Sequence, residues 1–597
     1  MIAGWQIANR KHPVDCPDPI MLCHITRHLD RRFWLYAALI AALSLWLRDG
    51  TPIWAITDAG HDDQLFLRHA SSILKGDWLG HYDRLTHAKP PFYSLFIALA
   101  FLISIPLKLA EHIAYLAAGF ALAAYIGHRA GCRVTMLGSF ALIAFCPVLW
   151  HPELQRVIRE GIYMPQTLAI LALGAHCFLT TARKGWRNWL VLALFGLLFA
   201  SFWVTREEGI WLIPSLLLLM IAGVVIGWVE QGRTKPVLLA QARRQAAQAG
   251  VFVIVAVIGV ASIGALNWRV YDSFRINDFQ TRDFAAAYGA IVRVSDPEPK
   301  PLVPASRSKL ELIYNASPAA AEMAPHMSGK VGEFWGQVGC DARPVEGCEE
   351  ILSGWFQWAI RDAAADAGHY SSATEASRYF ERLAAEINAA CGDGTLECGP
   401  QQNSMTPKFK SELLGPLMTA IWEGTVLTLK QRDGRFGSLP ASGHPNNRSL
   451  FADMTGHAIQ PWSDPNNAEA KRPRSDEFNN LRITIARWLT NAQRVVTGLA
   501  LIAAVLGTLF VLLKRERIRR LNWRLVALTL AIGGAIDARI VLLAYVHVTA
   551  QPAINPLYFS PGIVLVPALA ACWLAMLIPV FRKQTAETTG IAETAAP

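Results

Sequence analysis

The chain has 597 residues, 53% hydrophobic and 17% charged, where an ordinary soluble domain carries about a quarter charged residues. That deficit excludes a simple soluble protein, because the apolar residues gather in two blocks, 33–271 and 495–580, around a stretch of ordinary soluble composition. The net charge of +10 does not point to nucleic acid: the basic residues cluster beside apolar runs, as topology determinants do, and no basic–aromatic stripe occurs.

In chain order, residues 1–32 read as a cytoplasmic tail, with Arg27, Arg31 and Arg32 ahead of the first apolar run. No small-residue cleavage site follows that run, so it reads as a first transmembrane helix and not as a signal peptide. The apolar segments are about 33–47, 92–107, 112–128, 134–150, 162–180, 188–204, 209–229, 249–271, 495–513, 524–547 and 558–580. Counting all of them as spans puts the basic loops 128–133, 183–187, 232–244 and 514–524 on the wrong side of the membrane. Removing 92–107 repairs every loop at once. That segment follows "AKPPF", where paired prolines suit a helix start, and it is expected to lie in the interface or to re-enter.

The expected fold is therefore a polytopic α-helical membrane protein of about ten transmembrane helices plus interfacial helices. A mainly helical soluble insertion, 272–494, separates a membrane domain, 33–271, from C-terminal spans, 495–580, and a cytoplasmic tail, 581–597. Segments 48–111, 151–161, 205–208, 272–494 and 548–557 then share the outer side, taken as a bacterial periplasm facing away from the inner membrane's cytoplasmic face.

The insertion holds two local cysteine pairs, Cys340 with Cys348 and Cys391 with Cys398. In an exported region these read as two small disulfide loops. A zinc site is the alternative, although the spacings do not resemble CxxC pairs. Within the insertion, "SGWFQWAIRDAAADAG" and "SATEASRYFERLAAEINAAC" have apolar residues at helical spacing, whereas "DPEPKPLVP", "GSLPASGHPNNRS" and "QPWSDPNN" read as connectors.

The chemistry-bearing residues fall on the outer side. In the first outer loop, 48–111, "AGHDDQLFL" places Asp62 and Asp63 before an amphipathic segment, "GDWLG" places Trp78 at interface depth, and Lys89 precedes the two prolines. The plain alternatives are a helix N-cap with a first-turn acid and a snorkelling lysine. "HPELQRVIREGIYMPQTL" brings Arg156, Arg159 and Glu160 to the start of a span, and "FWVTREEGIWLIP" holds Arg206, Glu207 and Glu208 in a very short loop. Arginine clamps phosphate bidentately, although an ordinary ion pair at a helix end needs no ligand. "YVHVTAQPAINPLYFSPG" adds His547, read as structural, and Tyr558. The histidines and carboxylates together make a divalent metal ion a candidate cofactor, with no spacing that names its site.

Taken in order, "DD…LF…GDWL…KPPFY", Arg159-Glu160, "TREEGIWLIP" and "YFSP" resemble the GT-C glycosyltransferases. The nearest resemblance is to the group of protein O-mannosyltransferases and the lipid A aminoarabinose transferase. It covers about 50–290 and, weakly, 530–580, and the insertion has no counterpart in it. The resemblance implies inverting transfer of a sugar from a polyprenyl-phosphate donor, among membrane lipids, to an unidentified outer acceptor. It assigns a base or acceptor-orienting role to Asp62, with Asp63 standing where the family has Glu, so that which of the two acts stays open. It further implies a donor-phosphate contact for Lys89, a second acidic site at Glu160, and binding roles for Arg159, Arg206, Glu207 and Tyr558. Two other readings compete. One is a transporter or flippase of lipid-linked sugars, resting on Asp537 and Arg539 inside a span. The other is a scaffold with the insertion as its binding module. Convergence of the outer carboxylates on one cavity separates the enzyme from the scaffold.

Overall fold

The computed structural model describes residues 30–581 except 50, 181–184, 345–349, 403–404, 406, 408, 432–440, 458 and 460–476. The N-terminal tail up to 29, the C-terminal tail after 581, Cys348 and "QPWSDPNN" lie outside the described residues. In chain order the membrane domain comprises α1 (Asp30–Asp49), α2 (Asp63–Leu74), α3 (Phe92–Leu102), α4 (Leu107–Ala130), α5 (Arg133–Ala144), α6 (Glu160–Leu179), α7 (Trp186–Trp203), α8 (Ile213–Glu230) and α9 (Lys235–Tyr271). The insertion contributes α10 (Arg282–Arg293), α11 (Arg307–Ala316), α12 (Pro318–Met327), α13 (Lys330–Ala342), α14 (Ser353–Asp366), α15 (Ala373–Gly392), α16 (Leu414–Lys430) and α17 (Arg448–Thr455). The chain closes with α18 (Glu477–Leu513), α19 (Trp523–Thr549), α20 (Pro556–Ile563) and α21 (Leu565–Phe581).

This is a polytopic helical membrane protein. Among the described residues, nine helical stretches are long and apolar enough to cross a bilayer. The first helix, α1, is 20 residues long but carries charges at both ends, which keeps it out of that set. Backbone polar groups cannot go unpaired in lipid, and a helix satisfies them internally; among the described residues only isolated β-bridges occur. The 11 residues of α3 span about 16 Å, roughly half of a hydrocarbon core of about 30 Å, so the segment after "AKPPF" is too short to cross. Pro91 sits at its N-cap.

Three features differ from the sequence expectation. The basic stretch 232–244 is not a loop: Thr234 caps α9, which runs unbroken for 37 residues through Tyr271. The insertion does not end at 494, because α18 begins at Glu477 and continues into the membrane as one 37-residue helix. Trp78 is buried, not interfacial, and its indole Nε1 donates to Asn267 Oδ1 at 2.7 Å.

A fourth difference concerns the insertion's solubility. One face of α16 packs along the membrane helix α19 through Ala420, Ala544 and Val548, and Gly424 lies against Ile540 and Phe559. The other face exposes Leu414, Met418, Trp422 and Leu429. A helix apolar on both faces suits lipid and not water. The rest of the insertion folds about its own core of Phe284, Tyr288, Phe356, Tyr379 and Leu383. The Cys391–Cys398 disulfide closes there across 5.6 Å between Cα atoms, and Cys340 is also disulfide-bonded.

Gly424 gives a direct test of the α16–α19 packing. A Cβ at this position would sit 2.8 Å from the Phe559 ring. Gly424→Val is expected to cost about 1–3 kcal/mol through overpacking, read as a lower melting temperature of the solubilised protein. An unchanged melting temperature would count against this contact.

Candidate active site

At one end of the bundle the loop before α2, the starts of α6 and α20, the turn between α7 and α8, and the insertion enclose a cavity of about 580 Å³. Its lining includes Asp62, Lys89, Arg159, Glu160, Arg206, Glu207 and Tyr558, so the structure brings these sequence candidates together. Asp63 does not line the cavity.

The two adjacent acids have opposite environments. Asp62 stands at the N-cap position of α2, yet its side chain makes no capping hydrogen bond. It turns instead to Lys89, with Nζ 2.9 Å from Oδ1, and keeps 46% of its side chain exposed while that of Lys89 is only 13% exposed. Lys89 also lies over the Trp358 ring, 5.2 Å from its centroid. Desolvation raises the Asp62 carboxyl, but Lys89, Arg156 and Arg159 outweigh it and hold the group down to about 2. Desolvation pulls the Lys89 ammonium below its usual value, against Asp62, which raises it. Asp63 is fully buried and takes a two-pronged contact from Arg156, Nε to Oδ1 at 3.2 Å and Nη2 to Oδ2 at 2.5 Å. The Val157 amide donates to the same carboxylate at 3.3 Å. Strand-like alternation cannot separate neighbours in a turn; here the first turn of α2 points one acid into the core and leaves the other facing space.

The second half of the site is a chain of ion pairs. Arg159 donates to both oxygens of Glu207, at 3.0 and 2.9 Å. Arg206 bridges Glu160 and Glu208, the latter at 2.6 Å. Arg539 reaches Glu208 at 3.3 Å and donates to the Tyr558 carbonyl at 2.8 Å. Arg206 lies over the Tyr558 ring at 5.5 Å. Gly161 lets α6 approach α4 here, since a Cβ would overlap the Glu111 carboxylate, which is itself held by Lys108 and Tyr93 at 2.8 and 2.7 Å.

Arg156 and Glu208 were marked in the sequence among the charged residues of their segments, but without the site roles given to their neighbours. Arg539 carried a usable signal, a charge within an apolar span, but its apparent partner was wrong: Asp537 is exposed on the opposite side of α19, while Arg539 is buried at the site. The intramembrane pair that supported a transporter therefore does not form. Trp358 stood only in the helical stripe of 353–368, and Trp335 was not marked at all. Glu153 does not line the cavity, and His547 accepts backbone hydrogen bonds from Ala553 and Ile554 at 3.2 and 3.4 Å, a structural role. Among the described residues no three His, Cys, Asp or Glu side chains form a group that could hold a metal ion, and Asp62, Glu160, Glu207 and Glu208 each face a cation.

No protein-family model matches the chain, and no curated protein matches it. The solved structures that resemble it include two of ArnT from Cupriavidus metallidurans. The apo form is 12% identical, covering 87% of this chain and 78% of that one with a TM-score of 0.29. The form bound to undecaprenyl phosphate is 14% identical, covering 87% and 77% with a TM-score of 0.28. Likeness at that level leaves fold and activity to the chain's own geometry.

The contrast between the two acids can be measured. Asp63→Asn leaves the Arg156 guanidinium without its buried charge partner and is expected to cost about 3–5 kcal/mol. Asp62→Asn, at a half-exposed pair, is expected to change stability little. Equal shifts in the melting temperatures of the two variants would contradict the assignment.

Proposed function

We propose that this protein is an integral-membrane glycosyltransferase of GT-C type, moving a sugar from a polyprenyl-phosphate donor to an extracytoplasmic acceptor with inversion. The observation that carries the reading is Asp62: a half-exposed carboxylate on an open cavity, paired with a largely buried lysine, beside a cluster of arginines at the membrane end of the helices. The convergence of carboxylates from three separate segments on one cavity favours an enzyme over a scaffold, and Arg539, one of the two charges inside a span behind the transporter reading, is engaged by Glu208 at this site.

The donor phosphate enters from the lipid side, where Arg206 and Tyr558 lie against the starts of the spans. Lys89 is the cation best placed to exchange its carboxylate for that phosphate, because among the described residues Asp62 is the one carboxylate that pairs with it. A carboxyl held at about 2 is a poor base. Drawing Lys89 toward the phosphate removes the largest of the charges that depress Asp62, and its basicity rises as the donor binds. The acceptor hydroxyl oxygen then attacks the anomeric carbon from the face opposite the phosphate, and its proton passes to Asp62. The bond from the anomeric carbon to the phosphate oxygen breaks, and its electron pair leaves with the lipid phosphate. Lys89, Arg159 and Arg206 stabilise the charge that develops there, in a desolvated site where such contacts act strongly. Asp63 is a positioning residue: through Arg156 it fixes the first turn of α2 and so the direction of Asp62.

Asp62→Asn should abolish sugar transfer while leaving membrane insertion intact; wild-type turnover in that variant would sink the assignment. A second test uses pH. Lys89→Met removes a charge that lowers the Asp62 carboxyl, so the acid limb of kcat/KM, which reports the free enzyme, should move up toward the ordinary value of about 3.9. The variant should therefore lose activity at a higher pH than the native protein, in addition to a raised KM for the donor. An acid limb that stays in place would argue against Asp62 as the base.

A further inference from the structure

The wall of the cavity opposite the charged cluster comes from the insertion. It is aromatic, with Phe279, Phe334, Trp335, Trp355 and Trp358 along it and the Gln357 side chain between them. Trp335 and Trp358 lie nearly parallel, 6.1 Å apart at 21°, and the His61 ring meets both edge-on at 5.0 Å. Phe334 is 53% exposed at the cavity, where it contributes little to the insertion's own core. This wall is electrically closed. Asp362 is held by Arg84 at 3.1 Å and by the Trp335 indole at 2.9 Å, and Arg361 pairs with Asp278 at 2.9 Å.

Resting on the transferase reading, we propose that this wall is the acceptor subsite and that the acceptor is a neutral carbohydrate. A pyranose ring presents an apolar C–H face and an equatorial belt of hydroxyls. The first fits flat aromatic surface, and the second fits side-chain amides and a carboxylate. A cavity of about 580 Å³ lies within the roughly 300–1,000 Å³ typical of small-molecule sites. A phosphorylated or strongly charged acceptor finds no free charge on this wall. The sugar donor occupies the opposite side, since its phosphate must meet Lys89 and the arginines. A ring stacked on the wall carries its equatorial hydroxyls around its rim, and Asp62, whose partner Lys89 lies over the Trp358 ring, is the carboxylate beside that rim that takes the proton. Trp358 belongs to both sides: it carries the wall and covers Lys89.

The test uses the full-length protein in nanodiscs, with saturation-transfer NMR against two panels: neutral tri- and tetrasaccharides built on glucose, galactose, mannose and N-acetylglucosamine, and serine- and threonine-containing heptapeptides. Binding of undecaprenyl phosphate is measured on the same samples. Ring C–H protons of at least one saccharide should receive saturation, and Phe334→Ala combined with Trp355→Ala should weaken that binding at least tenfold while undecaprenyl phosphate binds as before. Gln357→Ala, a smaller change, should weaken it several-fold with an unchanged melting temperature. Stronger binding of the peptides, saccharide binding indifferent to all three substitutions, or no saccharide binding by a protein that holds undecaprenyl phosphate overturns the proposal. Saccharide binding without any affinity for undecaprenyl phosphate would leave the subsite standing and remove the donor assignment instead.

Discussion

The site depends on charge closure at the end of a helical bundle. Asp62 pairs with Lys89, Asp63 with Arg156, Glu207 with Arg159, and Glu160 and Glu208 share Arg206 and Arg539. Desolvated charges are tolerated only when paired, so five acids and five bases stand or fall together. A balanced set also has a consequence for binding. An incoming phosphate adds negative charge to a site already neutral, and some carboxylate must surrender its cation. Asp62 is the most exposed acid of the set and shares its lysine with no other carboxylate. The least constrained pair is thus the one the donor would disturb, and the group released is the one that faces the acceptor.

The same closure explains why the insertion belongs to this end of the molecule. Its helix α14 supplies Trp358 over Lys89 and Arg361 against Asp278, while α16 lies along α19 with its other face exposed. Removing the insertion would uncover Lys89 and open one wall of the cavity. Membrane and outer parts are therefore one site, with ionic chemistry on the membrane side and an aromatic surface on the other.

Much of this architecture was readable along the chain. The apolar blocks, the short helix after "AKPPF" and the helices around 353–366 and 373–392 follow from hydropathy and from the period of 3.6. Boundaries misled where a polar stretch continued a helix, at 234–244 and 477–494: Gln, Arg, Ala and Leu are good helix formers, and polarity marks the membrane edge without ending the helix. The isolated intramembrane Arg539 was correctly marked as unusual and wrongly partnered, because neighbours two apart on a helix point to different faces.

By itself the sequence determined that the chain is a polytopic helical membrane protein, and it placed Asp62, Lys89, Arg159, Glu160, Arg206, Glu207 and Tyr558 on segments that share one side. Hydropathy and helix period are local properties, and the side of each loop follows from counting spans. Only the tertiary structure separated the surroundings of Asp62 and Asp63, since adjacent residues have the same composition around them and differ in what distant elements bring near. Arg156 lies 93 residues away and locks one acid into the core; Lys89 and Trp358 leave the other facing the cavity. The aromatic wall was likewise invisible, because its residues meet only when the insertion folds back over the first loop.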